Sequence, residues 1–266
     1  MRKSLSDAGY SSKLLMPGID EYRKRNDVER FYRSAVASDL NKFRVAVGES
    51  DLWILASADI QAQVKKSLTL YRRHLKEYIH NYPGFAATLQ PYPADHEAPE
   101  LVQKMITASA KAGVGPMAAV AGAIAGLIGR DLKNNCPELI IENGGDIYLH
   151  TKTPRTISIY AGQSIFSLKL GLQLPPQPDG LGVCTSAGTV GPSLSLGRAD
   201  AAVIISPDAA LADAVATAAA NRVQKISDLP AAIELARAVP GITGAVVIKG
   251  DKMAAWGSVD LVPLNK

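Results

Sequence analysis

Apolar residues recur in steps of three and four along one stretch of the chain: Ile60, Val64, Leu68, Tyr71, Leu75, Tyr78 and Ile79. That spacing lines one face of a helix and predicts one over residues 59–82, stopped by Pro83-Gly84. Similar patterns predict helices over residues 99–112, 117–129 and 228–239. A further helix is predicted over 207–221, with Ser206 as N-cap and Pro207 at the first helical position. Alternation at period two predicts a hairpin, Phe43–Val47 with Leu52–Ala56, turning at Gly48-Glu49-Ser50-Asp51. Glu138–Glu142, Asn143-Gly144-Gly145-Asp146 and Ile147–Leu149 read as strand, turn and strand. Strands follow over residues 156–161, 165–174 and 201–205, with residues 175–180 as a loop. A terminal hairpin pairs 245–249 with 253–256. Strands in hairpin pairs and helices in clusters give an α+β fold, with largely antiparallel sheets and helices packed on them. Residues 1–30 are polar and basic and read as an N-terminal arm. Residues 31–266 read as a single domain, with no linker dividing them.

Composition narrows the setting. The 266 residues are 47% hydrophobic and 20% charged, an ordinary globular balance. Two cysteines, Cys136 and Cys184, make no disulfide framework. The N-terminus lacks the apolar core of a signal peptide, and the longest low-polarity run, 117–128, is too short to span a bilayer. A cytoplasmic protein without membrane contact is expected. A net charge of +4 suits a small anionic ligand but is too weak to argue for nucleic acid, and no nucleic-acid partner is expected. It leaves homo-oligomer formation open.

Candidate chemistry starts in the alanine-rich stretch 207–221. Asp213 and Thr217 stand four residues apart there and project from one helix face. No Lys or Arg lies between Pro207 and Asn221 to pair with the carboxylate. A hard cation such as Mg2+ prefers such oxygen ligands, with phosphate and water completing its shell. The plain alternative is a solvated Asp213 and a Thr217 bonded back to its own helix. In Gly113-Val114-Gly115-Pro116, Gly113 and Gly115 permit a sharp turn and close backbone approach. The helix that follows presents an N-terminus suited to an anion. A tight helix–helix corner built on Ala118, Ala119, Ala121, Gly122, Ala125 and Gly126 is the equal alternative. Asn143 and Asp146 face a ligand or simply serve the hairpin turn. Residues 183–193 form a glycine- and hydroxyl-rich loop in which Thr185, Ser186 and Gly188 can meet phosphate. Cys184 within it reads as a small buried or pocket-lining residue, since no basic neighbour lowers its pKa. The row Lys65, Lys66, Arg72, Arg73 and Lys76, with His74 and His80, reads as a solvated helix face.

Four blocks together resemble the ApbE-like superfamily, whose characterised members are Mg2+-dependent FAD:protein FMN transferases. They are Gly113-Val114-Gly115-Pro116-Met117-Ala118-Ala119, Glu142-Asn143-Gly144-Gly145-Asp146, Cys184-Thr185-Ser186-Ala187-Gly188 and Ala212-Asp213-Ala214-Val215-Ala216-Thr217-Ala218. The wording is similar to a cytoplasmic branch of that superfamily, uncharacterised protein family 0280, from about Phe31 to the C-terminus. The resemblance implies an ApbE-like fold and a metal held by Asp213, Thr217 and a main-chain carbonyl at Met117 or Ala118. It implies Mg2+ and FAD as cofactors. It also places Gly113, Gly115, Asn143, Gly144, Gly145, Asp146, Thr185, Ser186 and Gly188 beside the cofactor.

Two departures stand out. The helix after the glycine turn, 117–126, lacks the transferases' lysine. The chain after Gly188 lacks their His-containing segment and its Asp-Pro. No catalytic residue is assigned. The expected activity is Mg2+-dependent flavin transfer or FAD diphosphate cleavage. The alternatives are a binder of flavin, nucleotide or another anionic cofactor without catalysis, and an assembly role for the Ala/Gly helices.

Overall fold

Two strands open the described chain because alternating apolar residues meet across a short turn. β1 (Asn41–Val47) pairs antiparallel with β2 (Ser50–Ala56), Val47 opposite Ser50. The computed structural model describes residues 39–188 and 196–264. The arm expected over residues 1–30, and the hydroxyl-rich loop from Thr189 to Ser193, lie outside the described residues.

α1 (Gln61–Asn81) buries Val64, Leu68, Tyr71, Leu75 and Tyr78, the predicted face. The short α2 (Gly84–Ala87) buries Phe85. α3 (Glu100–Ala112) ends on Gly113, which adopts the left-handed conformation at φ 70°. The next helix does not begin as expected. Pro116–Ala119 forms a turn of 3-10 helix, and α4 (Val120–Leu132) starts only after it. β3 (Leu139–Asn143) and β4 (Asp146–Thr151) make the predicted hairpin. Gly144 and Gly145 stand at φ 72° and 108° in its two-residue loop. A loop of that kind needs positive φ at both places.

β5 (Arg155–Ser158) and β6 (Leu170–Leu174) are shorter than the expected strands 156–161 and 165–174. Between them the chain folds back on itself, with Ser164 N–H bonded to Ala161 C=O and Leu168 N–H to Ile159 C=O. The loops expected at 175–180 and from 183 are largely one strand, β7 (Gln177–Ser186). Gly180, at φ 94°, crosses Tyr148 so closely that a Cβ would lie 2.4 Å from its hydroxyl. A register shift between Leu149 and Thr151 lets the Pro178–Gly180 segment stay in the ladder.

β8 (Ala201–Ser206) is buried throughout. α5 (Ala209–Arg222) follows, then α6 (Leu229–Ala238), β9 (Gly244–Lys249), β10 (Lys252–Gly257) and β11 (Leu261–Pro263). The α5 cap is not Ser206 but Asp208, whose side chain accepts from Ala210 N–H and Leu211 N–H. Ser206 is the last residue of β8, and its hydroxyl serves Gly241 C=O and Asp208 N–H. Pro207 therefore precedes the helix.

Eight strands form one antiparallel sheet in the order β1-β2-β3-β4-β7-β8-β9-β10, and β11-β6-β5 form a second. The expected antiparallel α+β architecture is what the chain adopts. Alternation in β8 and β9 divides the core. Ala202, Ile204, Ala245 and Val247 join the helix-side cluster, whereas Val203, Ile205, Val246 and Ile248 join the cluster facing the small sheet. α5 runs through the helix layer buried on nearly every side. Alanine suits that place because it costs little side-chain entropy in a helix and admits close neighbours. Two glycines set the fit: a Cβ on Gly182 would come within 2.4 Å of Ala209 Cα, and one on Gly122 within 2.2 Å of Ala209 C=O.

Candidate functional site

The fit between α4 and α5 brings an acidic side chain to a helix end. The α4 N-cap is Ala119, which has no side chain able to cap. Asp213 of α5 takes over that role from a distance of 91 residues in sequence, its Oδ2 accepting from Gly122 N–H at 2.8 Å. Asp213 is buried, not solvated as its plain alternative had it. Across from it, Asn143 at the end of β3 donates from Nδ2 to Ala121 C=O at 3.2 Å. Helix start and hairpin end are thereby tied together.

Asp146, the first residue of β4, pairs in register with Asn143 on one side and Cys184 of β7 on the other. Cross-strand partners share a face, so Asp146 and Cys184 point with Asn143 toward α4 and α5. The Cys184 thiol donates to Ala209 C=O at 3.3 Å. It is fully buried, as expected. Asp146 Oδ1 has no hydrogen-bond partner among the described residues.

Burial governs the electrostatics. It pushes the Asp213 carboxyl up to about 7, against the opposing pull of the Gly122 and Ala121 N–H groups. It pushes Asp146 well above the usual carboxylate range, and the negative charge of Asp213 pushes the same way. The Cys184 thiol is likewise held well above its ordinary value, by burial first and by the Asp146 and Asp213 charges next. Among the described residues neither carboxylate forms an ion pair with Lys, Arg or His.

Other expected residues fall into place differently. Thr217 stands one turn along α5, half-buried, and makes no hydrogen bond to its own helix among the described residues. Gly113 caps α3, and Gly115 meets Thr88, whose C=O would lie 2.0 Å from an added Cβ. Both are accounted for by the corner itself. Gly188 is pressed in the same way against Gly197, at 2.0 Å from its C=O. The expected loop around Thr185 and Ser186 is the end of β7, so the two side chains alternate. Ser186, opposite Ala202, faces the helices, while Thr185, opposite Val203, faces away from them. Gly145 lies beside Thr185, whose C=O is 3.5 Å from a Cβ built there. The residues that sequence reasoning left unassigned are Gly122, Ala121 and Gly182. The small-residue face of 118–126 signalled the first two; nothing in the sequence singled out Gly182.

The donor set tests what such a place can hold. Among the described residues no three His, Cys, Asp or Glu side chains gather as a metal cluster. A buried carboxylate, a nearby hydroxyl, main-chain carbonyls and an orphaned carboxylate oxygen are all hard oxygen donors, and these fit Mg2+ or Mn2+. Ala118 sits in the 3-10 turn, its N–H bonded to Gly115 C=O, while Met117 C=O is taken by Val120 N–H. Of the two expected carbonyls, that of Met117 is therefore engaged within the turn. No single helix among the described residues is long and apolar enough to cross a membrane.

Comparison with known proteins adds to this picture. A family model described as "AbpE bacteria" matches residues 33–243. A UPF0280 protein from Methanocella arvoryzae is 46% identical over 192 residues, covering 71% of this chain and 78% of that one. One from Methanosarcina barkeri is 44% identical over 207 residues, covering 77% and 81%. Among solved structures, the flavin transferase ApbE from Vibrio cholerae superposes with a TM-score of 0.55 at 10% identity. It covers 84% of this chain and 98% of its own. An ApbE protein from Thermotoga maritima superposes with a TM-score of 0.51 at 12% identity, covering 81% and 96%. At these identities the two structures share the fold with this chain.

Proposed function

The chain belongs to the family described as AbpE bacteria, alongside the UPF0280 proteins, and from that premise we propose that it is a Mg2+-dependent enzyme acting on the diphosphate of FAD. Its reaction is FMN transfer or diphosphate cleavage. One observation carries the reading: Asp213 is buried at the first turn of α4, beside a second buried carboxylate and without a cationic side chain among the described residues. A fold neighbour from Vibrio cholerae being a flavin transferase supports it.

Asp213, Thr217 and the Ala118 carbonyl would hold Mg2+. The ion, when bound, neutralises the diphosphate and the charge that develops on the leaving phosphate. The protein's own groups do the positioning. Asn143 fixes the start of α4 through Ala121, which holds Gly122 N–H on Asp213 and so fixes the carboxylate's orientation. Ser186 presents a hydroxyl from the end of β7 toward the helix side.

The absence of lysine over 117–126 favours a second reading, a flavin or nucleotide binder that does not turn its ligand over. Incubation of the purified protein with FAD and MgCl2, followed by mass spectrometry for AMP, FMN and FMN-modified protein, separates the two. AMP release that Asp213→Asn abolishes is the expected result. Retained flavin without AMP gives the second reading, and neither binding nor AMP overturns both.

A further inference from the structure

We infer that Asp146 is itself a ligand of the divalent cation, so that two carboxylates, from α5 and from β4, close on it together. This rests on the cation reading above and adds a residue that the Asp213, Thr217 and Ala118 set does not contain. Asp146 is only 8% exposed, and its Oδ1 is without a hydrogen-bond partner among the described residues. Buried oxygens are rarely left so, and an ionised one is especially costly unpaired.

Everything charged that faces Asp146 makes matters worse for a bare carboxylate. Asp213 approaches from α5 and Glu142 from the end of β3. The Glu142 Oε1 is turned back to Gly145 N–H at 2.9 Å. The Cys184 thiol, which also reaches Ala209 C=O, and the Thr185 main chain hydrogen-bond the Asp146 carboxyl but leave its Oδ1 unserved and do not outweigh its burial. The helix end offers Gly122 N–H, and Asp213 already occupies it. A single hard cation between the two carboxylates would satisfy the orphaned oxygen and offset both charges at once. The hairpin is built to aim Asp146 there: two positive-φ glycines turn the chain tightly enough to set Asp146 beside Asn143, itself fastened to α4.

The test uses metal binding, not turnover. The full-length protein, stripped of metal, is titrated with MnCl2 by calorimetry, alongside Asp146→Asn, Asp146→Cys and Asp213→Asn. Melting of each metal-free variant controls for folding, and the isosteric Asn change at Asp146 is expected to melt at or above the wild-type temperature. We expect Asp146→Asn to weaken Mn2+ binding by more than about tenfold. Outer-shell changes alone give about 10- to 100-fold, so a ligand swap supplies the discriminating readout. In Asp146→Cys a second thiolate should bind Cd2+ with an ultraviolet thiolate-to-cadmium absorption above whatever Cys184 gives wild type and Asp146→Asn. Mn2+ affinity within twofold of wild type in Asp146→Asn overturns the inference. So does weakened Mn2+ binding with cadmium absorption in Asp146→Cys no greater than in wild type, which would make Asp146 a positioning residue. Wild type that binds no Mn2+ overturns the cation reading itself, whereas loss in Asp213→Asn alone leaves that reading standing and removes Asp146 from it.

Discussion

Replacing Gly122 with alanine tests whether the α4–α5 contact both holds the fold and aims Asp213. The added methyl would sit 2.2 Å from Ala209 C=O and 2.7 Å from Asp213 Cβ. Ordinary van der Waals contact needs more than an additional ångström, so α5 must shift away from α4. Overpacking of this kind costs about 1–3 kcal/mol. The shift also stretches the 2.8 Å bond from Gly122 N–H to Asp213 Oδ2. Hydrogen bonds to charged groups are worth about 1.5–3 kcal/mol. Against this, alanine gains up to about 1 kcal/mol of helix propensity over glycine. The net expectation is a loss of roughly 2–4 kcal/mol, or roughly 5–15 °C in melting temperature for a domain of this size. Gly126→Ala is the control, one turn further along the same face, where the new Cβ would meet only Ala209 Cβ at 3.3 Å. It should be neutral or slightly stabilising. Urea denaturation of both variants reads the difference, and Mn2+ titration reads whether Asp213 has moved. If Gly122→Ala is as stable as Gly126→Ala and binds Mn2+ equally well, the contact neither holds the fold nor aims Asp213.

Asp208→Ala should cost about 1 kcal/mol by removing the α5 cap, measured by urea denaturation, whereas Pro207→Ala should cost little because Pro207 lies outside the helix. Stability of the metal-free protein should fall as pH rises from about 4 to about 7. Over that window folded Asp213, raised to about 7, keeps a proton that the unfolded chain has released. The unfolded state is thus favoured progressively, and the loss levels off above pH 7. The difference between wild type and Asp213→Asn, followed by thermal melts across that range, isolates it.

The elements most readable in the sequence are those whose own residues decide them. α1 carries an uninterrupted three-and-four pattern, and the Gly144-Gly145 hairpin needs glycines that the sequence displays. β7 is hidden because its Pro175, Pro178 and Gly180 surroundings carry loop residues. The strand exists because β4 and β8 hold it from both sides and Tyr148 occupies the space beneath Gly180. The α5 cap is misplaced by two residues because Ser206 and Asp208 are both good caps by type. Only the end of β8 at Ser206 decides between them. In the site, the four-residue spacing of Asp213 and Thr217 is legible, but the partner of Asp213 is not. Gly122 contributes a main-chain N–H, and a main-chain group leaves no mark in side-chain chemistry. The separation of Thr185 from Ser186 is equally invisible until their segment proves to be a strand.

The glycines, taken together, change where a ligand's charge must go. Gly113 caps a helix, Gly115 clears Thr88, Gly188 clears Gly197, and Gly144 with Gly145 turns a hairpin. Each is explained by the chain's own backbone, so none has to be kept for a phosphate. The helix start they frame, which the sequence offered as an anion site, already holds an anion in Asp213. A diphosphate brought directly to that helix end would find the Gly122 N–H already taken by Asp213, with a second buried acid, Asp146, beside it. On the proposed reading a diphosphate reaches this end through a cation, and anion and cation binding are expected as one event. Inorganic pyrophosphate should therefore bind measurably with Mg2+ present and not in EDTA. Calorimetric binding of pyrophosphate at equal strength in EDTA would show that the anion has a seat of its own and would break the coupling.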